Sequence, residues 1–264
     1  MEKREFGGRF QVPVYGQGTW NLFGKDAVAA LRAGLDLGLT HIDTAEMYGT
    51  EESVGEAIQG RREEVFLVSK VLPSNASRKG TLRACDQSLI RLRTDHLDCY
   101  LLHWPGRHPL EETIAAFEEL VSKGKIRSYG VSNFDEELLA EAVRIAGPRK
   151  IACNQCLYNL DERHIEARVL PECRKHGVSF VGYSSIKGVD ESGEVGKIAR
   201  EIGATVRQVA LAFLTRLEGT FAIPKASTVA HVRENARRVE LSAKQVQRLE
   251  KAYPLQVRVE LPTS

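Results

Sequence analysis

Ionisable side chains stand where short apolar runs stop. Asp43 closes THID, Tyr48 follows in the next loop, Lys70 closes VFLVSK and His103 closes LDCYLLH. One polar residue after an apolar run is commonplace, but an acid, a phenol, an amine and an imidazole in succession read as a proton-handling set. A phenol titrates near ~10, too high for an efficient acid at neutral pH, and a neighbouring ammonium lowers that value by favouring the phenolate. Lys70 would act on Tyr48 in this way. Asp43 would hold Lys70 charged and oriented, and His103 would donate a hydrogen bond to an oxygen gaining negative charge. A rival chemistry uses His41, Asp43 and His103 as metal ligands, since His41 and Asp43 are two apart on one strand and point the same way. It leaves Tyr48 and Lys70 without a purpose, and neither HxH nor HExxH occurs, so no metal is expected.

The runs that end in these residues form a series. VYGQG, THID, VFLVSK, LDCYLLH, SYGVS, IACNQ, VSFVGY and FAIP are short and apolar on consecutive positions, as expected for parallel strands covered on the outside. Further polar groups close the later runs: Ser132 with Asn133, Asn154 with Gln155, Tyr183 with Ser184, and Lys225. Helix-period segments alternate with the runs. DAVAALRAGLDLG stops at Gly38, SRKGTLRACDQSLIRLR begins at a Ser77 cap, and LEETIAAFEELVSKG ends on Lys123–Gly124. EELLAEAVRIAG and RHIEARVLPECRKHG each read as one helix, and EVGKIAREIGATVRQVALAFLTR as two, split at Gly203 with Thr205 capping the second. The start, REF-GG-RFQV, predicts a β-hairpin turning on Gly7 and Gly8.

Strand–helix alternation selects a parallel sheet with right-handed crossovers, and a (β/α)₈ TIM barrel takes ~250 residues. The chain has 264 and no dividing linker, so the expectation is one α/β barrel domain over 1–264, preceded by the hairpin. No GxGxxG follows the first strand, which removes the main support for a Rossmann fold. In a barrel, chemistry collects at the C-terminal ends of the strands, where the ionisable groups stand. Lys plus Arg is 37 against 35 for Asp plus Glu, a balance unlike that of a nucleic-acid binder. No apolar run is long enough for a membrane span and the start lacks a secretory signal. The five cysteines, Cys85, Cys99, Cys153, Cys156 and Cys173, are an odd number that fits a reducing compartment. The Cys153–Cys156 CxxC is read as two packing residues, and a cytoplasmic protein is expected.

Several stretches resemble the aldo-keto reductases. GLTHIDTAEMYGTEESVGEAI resembles that family's first signature; LLHWPG, GKIRSYGVSNF, ACNQCLYN and IPKASTVAHVREN resemble later motifs in the right order. GQGTW, DTAEMY, YLLHWPG and IPKAST are most similar to compact bacterial members that reduce methylglyoxal and other small aldehydes. The resemblance implies an NAD(P)H-dependent carbonyl reductase whose catalytic tetrad is Asp43, Tyr48, Lys70 and His103, with Tyr48 as general acid. It implies cofactor contacts from Gly18, Thr19 and Trp20 at the first strand end, and from Ser132, Asn133 and Gln155 on the carboxamide. Tyr183 would stack on the nicotinamide, Ser184 and Ile186 would begin the pyrophosphate loop, Lys225 would lie near the 2′-phosphate, and Glu234 and Asn235 would contact adenine. Trp20, Tyr48, His103 and Trp104 would form an aromatic substrate mouth, suited to small apolar or dicarbonyl groups.

Two departures from the family pattern matter. His231 stands where arginine is frequent, six residues after Lys225, so one bidentate phosphate contact is weakened; NADPH is the expected cofactor, with NADH as the alternative. The seventh loop reads YSS rather than YSP and is short, IKGVDESGEVG, implying a slight clasp over the cofactor that Lys187 could supplement at the pyrophosphate. The chain's ending soon after Tyr253 and Pro254 is expected to leave the pocket open to a broad range of aldehydes. A small-molecule carbonyl substrate is expected, without nucleic acid or membrane partners, and a monomer is the default. A non-catalytic nucleotide-binding or regulatory member of the same fold is the principal alternative, and a metal-dependent barrel hydrolase the lesser one.

Overall fold

The eight apolar runs become eight parallel strands. The computed structural model describes residues 1–256; residues 257–264, the tail of the expected domain, lie outside the described residues. An antiparallel hairpin, β1 (Lys3–Phe6) and β2 (Phe10–Pro13), comes first. The strands β3 (Gln17–Gly18), β4 (His41–Asp43), β5 (Phe66–Val71), β6 (Cys99–Leu102), β7 (Tyr129–Ser132), β8 (Ile151–Leu157), β9 (Ser179–Tyr183) and β10 (Thr220–Ala222) then pair in sequence order. The two ends of this sheet meet: the Gly16 amide donates to the Ala222 carbonyl at 2.8 Å and the Ala222 amide to the Val14 carbonyl at 3.0 Å. The result is a (β/α)₈ barrel.

The covering helices are α1 (Gly24–Asp36), α2 (Glu51–Ile58), α3 (Arg78–Leu92), α4 (Leu110–Ser122), α5 (Glu136–Ala146), α6 (Val169–His176), α7 (Glu194–Ile202), α8 (Val206–Leu214), α9 (Val229–Ala236) and α10 (Ala243–Ala252). Ser77 caps α3 by accepting from the Gly80 amide, and Thr205 with Gln208 forms a capping box on α8, as their positions before apolar periodicity predict. The segment RHIEARVLPECRKHG departs from expectation. It divides into a single 3₁₀ turn, His164–Glu166, and α6. Pro171 has no amide hydrogen to donate four residues back, so it is tolerated only in the first turn of a new helix. The hairpin turn also carries an extra residue: Gly7 and Gly8 both have positive φ and the Arg9 amide closes onto the Phe6 carbonyl, but pairing starts at Phe6 with Phe10.

Strand alternation sorts side chains between two cores. In β5, Phe66 and Val68 fill the barrel while Leu67 and Val71 pack under the helices; in β6, Cys99 and Leu101 point in while Tyr100 and Leu102 point out. The hairpin closes the lower end, with the Phe6 ring 5.0 Å from Phe66 and 5.2 Å from Phe221. Two residues further along each strand, the same inward parity carries Asp43, Lys70 and His103 to the upper end. Cys153 lies in the barrel interior, whereas Cys156 faces out and its Sγ is 3.8 Å from the Phe134 carbonyl. The two thiols therefore occupy opposite faces of β8, and all five cysteines are buried and free.

Gly55 illustrates how closely the outer layer is packed. A Cβ there would stand 2.7 Å from the Leu92 carbonyl oxygen and 2.8 Å from that of Arg91, at the end of α3. Backbone cannot swing aside as a side chain can. Gly55→Ala is expected to cost about 1–3 kcal/mol of stability, read as a lower urea midpoint with an unchanged slope.

Candidate active site

Asp43 ends β4 with its carboxylate 1% exposed, so both oxygens need partners. Oδ1 accepts from Lys70 Nζ, and Oδ2 accepts from Gln155 Nε2 at 2.7 Å. Lys70, wholly buried in β5, also donates to the Thr44 carbonyl at 2.9 Å and lies 3.4 Å from the Tyr48 hydroxyl. Burial pulls the Lys70 pKa down, but the Asp43 carboxylate and Tyr48 outweigh it and the net direction is up. Lys70 is therefore an ammonium.

Tyr48 sits on a 3₁₀ turn, Glu46–Tyr48, in the loop after β4. Its hydroxyl is 3.5 Å from His103 Nε2, and the Trp20 ring meets its edge at 4.9 Å. The expected lowering of the phenol pKa needs correction. Burial raises it, and Lys70 pulls it back only in part, so the net direction is upward. Tyr48 thus keeps its proton at neutral pH, and the ammonium reduces the cost of giving it up.

His103 follows β6 directly, its amide bonded to the Val71 carbonyl at 3.0 Å and its carbonyl accepting from Asn133 Nδ2 at 3.1 Å. Burial, aided by the Lys70 charge, lowers its pKa to about 3, so the imidazole is neutral. Nδ1 is buried without a partner among the described residues. A proton on Nε2 leaves the cheaper orphan, a lone pair, inside and gives Nε2 a donor beside Tyr48.

These groups border one cavity of about 580 Å³ at the C-terminal ends of the strands. Gly18, Thr19 and Trp20 line one side; Ser132, Asn133, Gln155 and Tyr183 line the back; Ser184, Ile186 and Lys225 line the rim, and Trp104 stands beside His103. Lys70 lies beneath this lining. Asn133 and Ser184 take positive φ, 60° and 55°. The Asn133 amide also accepts from the Tyr183 hydroxyl at 3.0 Å. Because Gln155 commits its NH₂ to Asp43, its amide offers the cavity an acceptor oxygen.

Glu234 and Asn235 are not brought into this cavity. Glu234 pairs with Arg207 at 3.0 Å, and Asn235 borders a small neighbouring cleft with Oδ1 buried and unpartnered among the described residues. His231 and Arg233 are exposed on α9. His41 lies lower in the barrel, its ring 5.6 Å from Phe66, and among the described residues no metal-holding cluster forms. Sequence reasoning missed Met47, Ser185, Ile223 and Pro224 in the lining. It also missed the hydroxyls of Thr19, Thr44 and Thr50, bonded in a chain at 3.1 Å per step. Three threonines beside strand ends were a readable signal only once the strands were adjacent.

An α/β barrel with its polar residues gathered at the strand C-termini is an enzyme architecture. The profile of the Aldo/keto reductase family matches residues 15–189 and 187–254, and the chain belongs to that family; it is an oxidoreductase. It is 47% identical to methylglyoxal reductase YeaE of Escherichia coli (strain K12) over 95% of this chain and 94% of that protein. It is 34% identical to the glyoxal reductase of Bacillus subtilis (strain 168), over 86% and 83% of the two chains. An aldo/keto reductase of Klebsiella pneumoniae in complex with NADP and acetate superposes with a TM-score of 0.93 at 42% identity, covering 100% of this chain and 99% of that one.

The buried imidazoles generate a pH dependence. Burial holds His103 at about 3 and His41 at about 4, against about 6.5 for free histidine. Below about 6.5 the unfolded chain binds protons that the folded one refuses. Stability is therefore full above that value and falls as pH drops towards about 4. Urea midpoints measured across this window should fall, and less steeply in His103→Gln.

Proposed function

We propose that the protein reduces small aldehydes and dicarbonyls such as methylglyoxal to alcohols with NADPH, using Tyr48 as general acid. The observation that carries this reading is the Tyr48 hydroxyl on the cavity wall, 3.4 Å from the Lys70 ammonium and 3.5 Å from His103 Nε2. The named activities of the Escherichia coli and Bacillus subtilis relatives support the substrate class, and the Klebsiella pneumoniae complex supports the cofactor.

The residues present fit a nicotinamide cofactor. The free oxygen of Gln155 suits a carboxamide NH₂, with Ser132 and Asn133 beside it, and the Tyr183 ring offers a flat face. Lys187 and Lys225 supply positive charge at the rim, with Gly18, Thr19, Trp20, Ser184 and Ile186 along the way. Glu234 and Asn235, which the family resemblance assigns to adenine, lie outside this cavity. When bound, NADPH supplies the hydride for the carbonyl carbon. His103 donates from Nε2 to the carbonyl oxygen, with Trp20 and Trp104 lining the same cavity. Tyr48 transfers its proton to that oxygen as negative charge grows, Lys70 stabilises the phenolate left behind, and Asp43 keeps Lys70 charged. The alcohol leaves, and the phenolate regains a proton from water.

The whole chain, 1–264, works as one domain in this reading. We take the protein as a cytoplasmic monomer; its five free, buried cysteines accord with a reducing compartment. NADPH is preferred through Lys225, with NADH accepted more readily because His231 stands where an arginine would add a bidentate phosphate contact.

Steady-state NADPH oxidation with methylglyoxal tests the reading. Tyr48→Phe is expected to lower kcat by ~10²–10⁴-fold with cofactor affinity retained; unchanged turnover would overturn it. Lys225→Ala is expected to raise the Kd for NADPH while leaving that for NADH nearly constant, as read by quenching of tryptophan fluorescence.

A further inference from the structure

Asp43 is fixed within β4 and Lys70 within β5, and His103 directly follows β6, but Tyr48 rides on a single 3₁₀ turn. Such a turn has little stability of its own: inside it, the Tyr48 amide bonds the Ala45 carbonyl at 3.1 Å and Gly49 follows at φ 67°. The Tyr48 hydroxyl adds only long contacts, at 3.4 and 3.5 Å. Something outside the turn must set where the phenol stands.

Glu46, the first residue of the turn, reaches across to the segment that follows β5. Its Oε1 accepts from the Leu72 amide at 2.5 Å and from Asn75 Nδ2 at 3.0 Å. Hydrogen bonds to a carboxylate are about twice as strong as neutral ones. Leu72 is two residues beyond Lys70, and its neighbour Val71 holds the His103 amide. One carboxylate oxygen therefore ties the loop of the phenol to the strand that carries the ammonium.

We propose that Glu46 is a positioning residue for the reaction, a clamp that sets the Tyr48–Lys70 separation through Leu72 and Asn75. The proposal rests on the reading of Tyr48 as proton donor. Glu46 itself touches neither the reacting atoms nor the main cavity. Its other side borders a separate cleft of about 430 Å³, lined also by Asn75, Arg83 and Arg91. Water can fill the space left by a shortened side chain, so loss of the clamp is distinct from collapse of a packed core.

The test compares Glu46→Ala, Glu46→Gln and Asn75→Ala with the wild type. Without the clamp, Glu46→Ala should lower kcat for methylglyoxal by ~10–100-fold, with an unchanged Kd for NADPH. Ultraviolet difference titration, each background against its Tyr48→Phe partner, reads the phenol without turnover. The charged or ionisable groups facing Tyr48 are Lys70, Asp43, His103 and Tyr183. Of these, Lys70 is the group that pulls the phenol down, so a longer Tyr48–Lys70 separation should move the Tyr48 titration to higher pH in Glu46→Ala. Glu46→Gln keeps an acceptor oxygen for the Leu72 amide and should recover most of kcat and the wild-type titration. Should Glu46→Ala fail to fold, Asn75→Ala carries the test, with smaller changes in the same directions. A folded Glu46→Ala with wild-type kcat and titration overturns the clamp, as does a Gln variant as impaired as Ala. A wild type inactive on aldehydes overturns the function proposed above, while the titration still decides the clamp.

Discussion

The buried ion pair of Lys70 and Asp43 is the constraint around which the upper barrel is arranged. Removing two charges from water costs several kcal/mol per ion, and their attraction repays that only when the remaining polar atoms are also satisfied. Here they are. The second Asp43 oxygen takes the Gln155 amide, Lys70 gives a further hydrogen to the Thr44 carbonyl, and the Asp43 backbone carbonyl accepts from the Thr19 hydroxyl at 3.0 Å. Gln155 cannot turn its oxygen towards a carboxylate, so the pair also dictates which end of that amide faces the cavity. The Asp43 charge thus fixes the polarity of a group two strands beyond His103.

Inward parity is what assembles these residues. Along β5 the side chains of Phe66, Val68 and Lys70 share one face, and the first two are core. That a lysine should continue an apolar face is readable from sequence, because period two and the end of the run are local facts. So are the Ser77 and Thr205 caps, which need only the few residues after them. The break before α6 was present in the sequence as Pro171 and was outweighed there by the helical periodicity around it. The direction of the Tyr48 pKa was not legible, because it depends on how much water the assembled mouth excludes. Nor was the Glu234–Arg207 pair, whose partners meet only when α8 and α9 pack.

The strand ends also carry backbone that is costly for non-glycine residues. Asn133 and Ser184 adopt positive φ just beyond β7 and β9, a conformation that costs about 1–3 kcal/mol and persists only where the surroundings impose it. For Asn133 the surroundings are visible. Its side chain donates to the His103 carbonyl and accepts from the Tyr183 hydroxyl, so one strained residue links the imidazole to the ring at the back of the cavity. Extended backbone at Asn133 would carry that amide away from both partners. Strain here is a consequence of holding three strand ends in register.

The wall of the cavity divides by chemistry. Trp20, Met47 and Trp104 lie near Tyr48 and His103, whereas Lys187 and Lys225 belong to the loops after β9 and β10. In the proposed reaction an anionic cofactor and a neutral carbonyl compound would be drawn to different parts of one opening. The division also bears on an asymmetry among Asp43, Tyr48, Lys70 and His103. Groups that only hold charge can be built into strands, where rigidity is greatest. Tyr48, the proposed proton donor, stands on a turn outside the strands, where bonds between loops such as that from the Leu72 amide to Glu46 reach it.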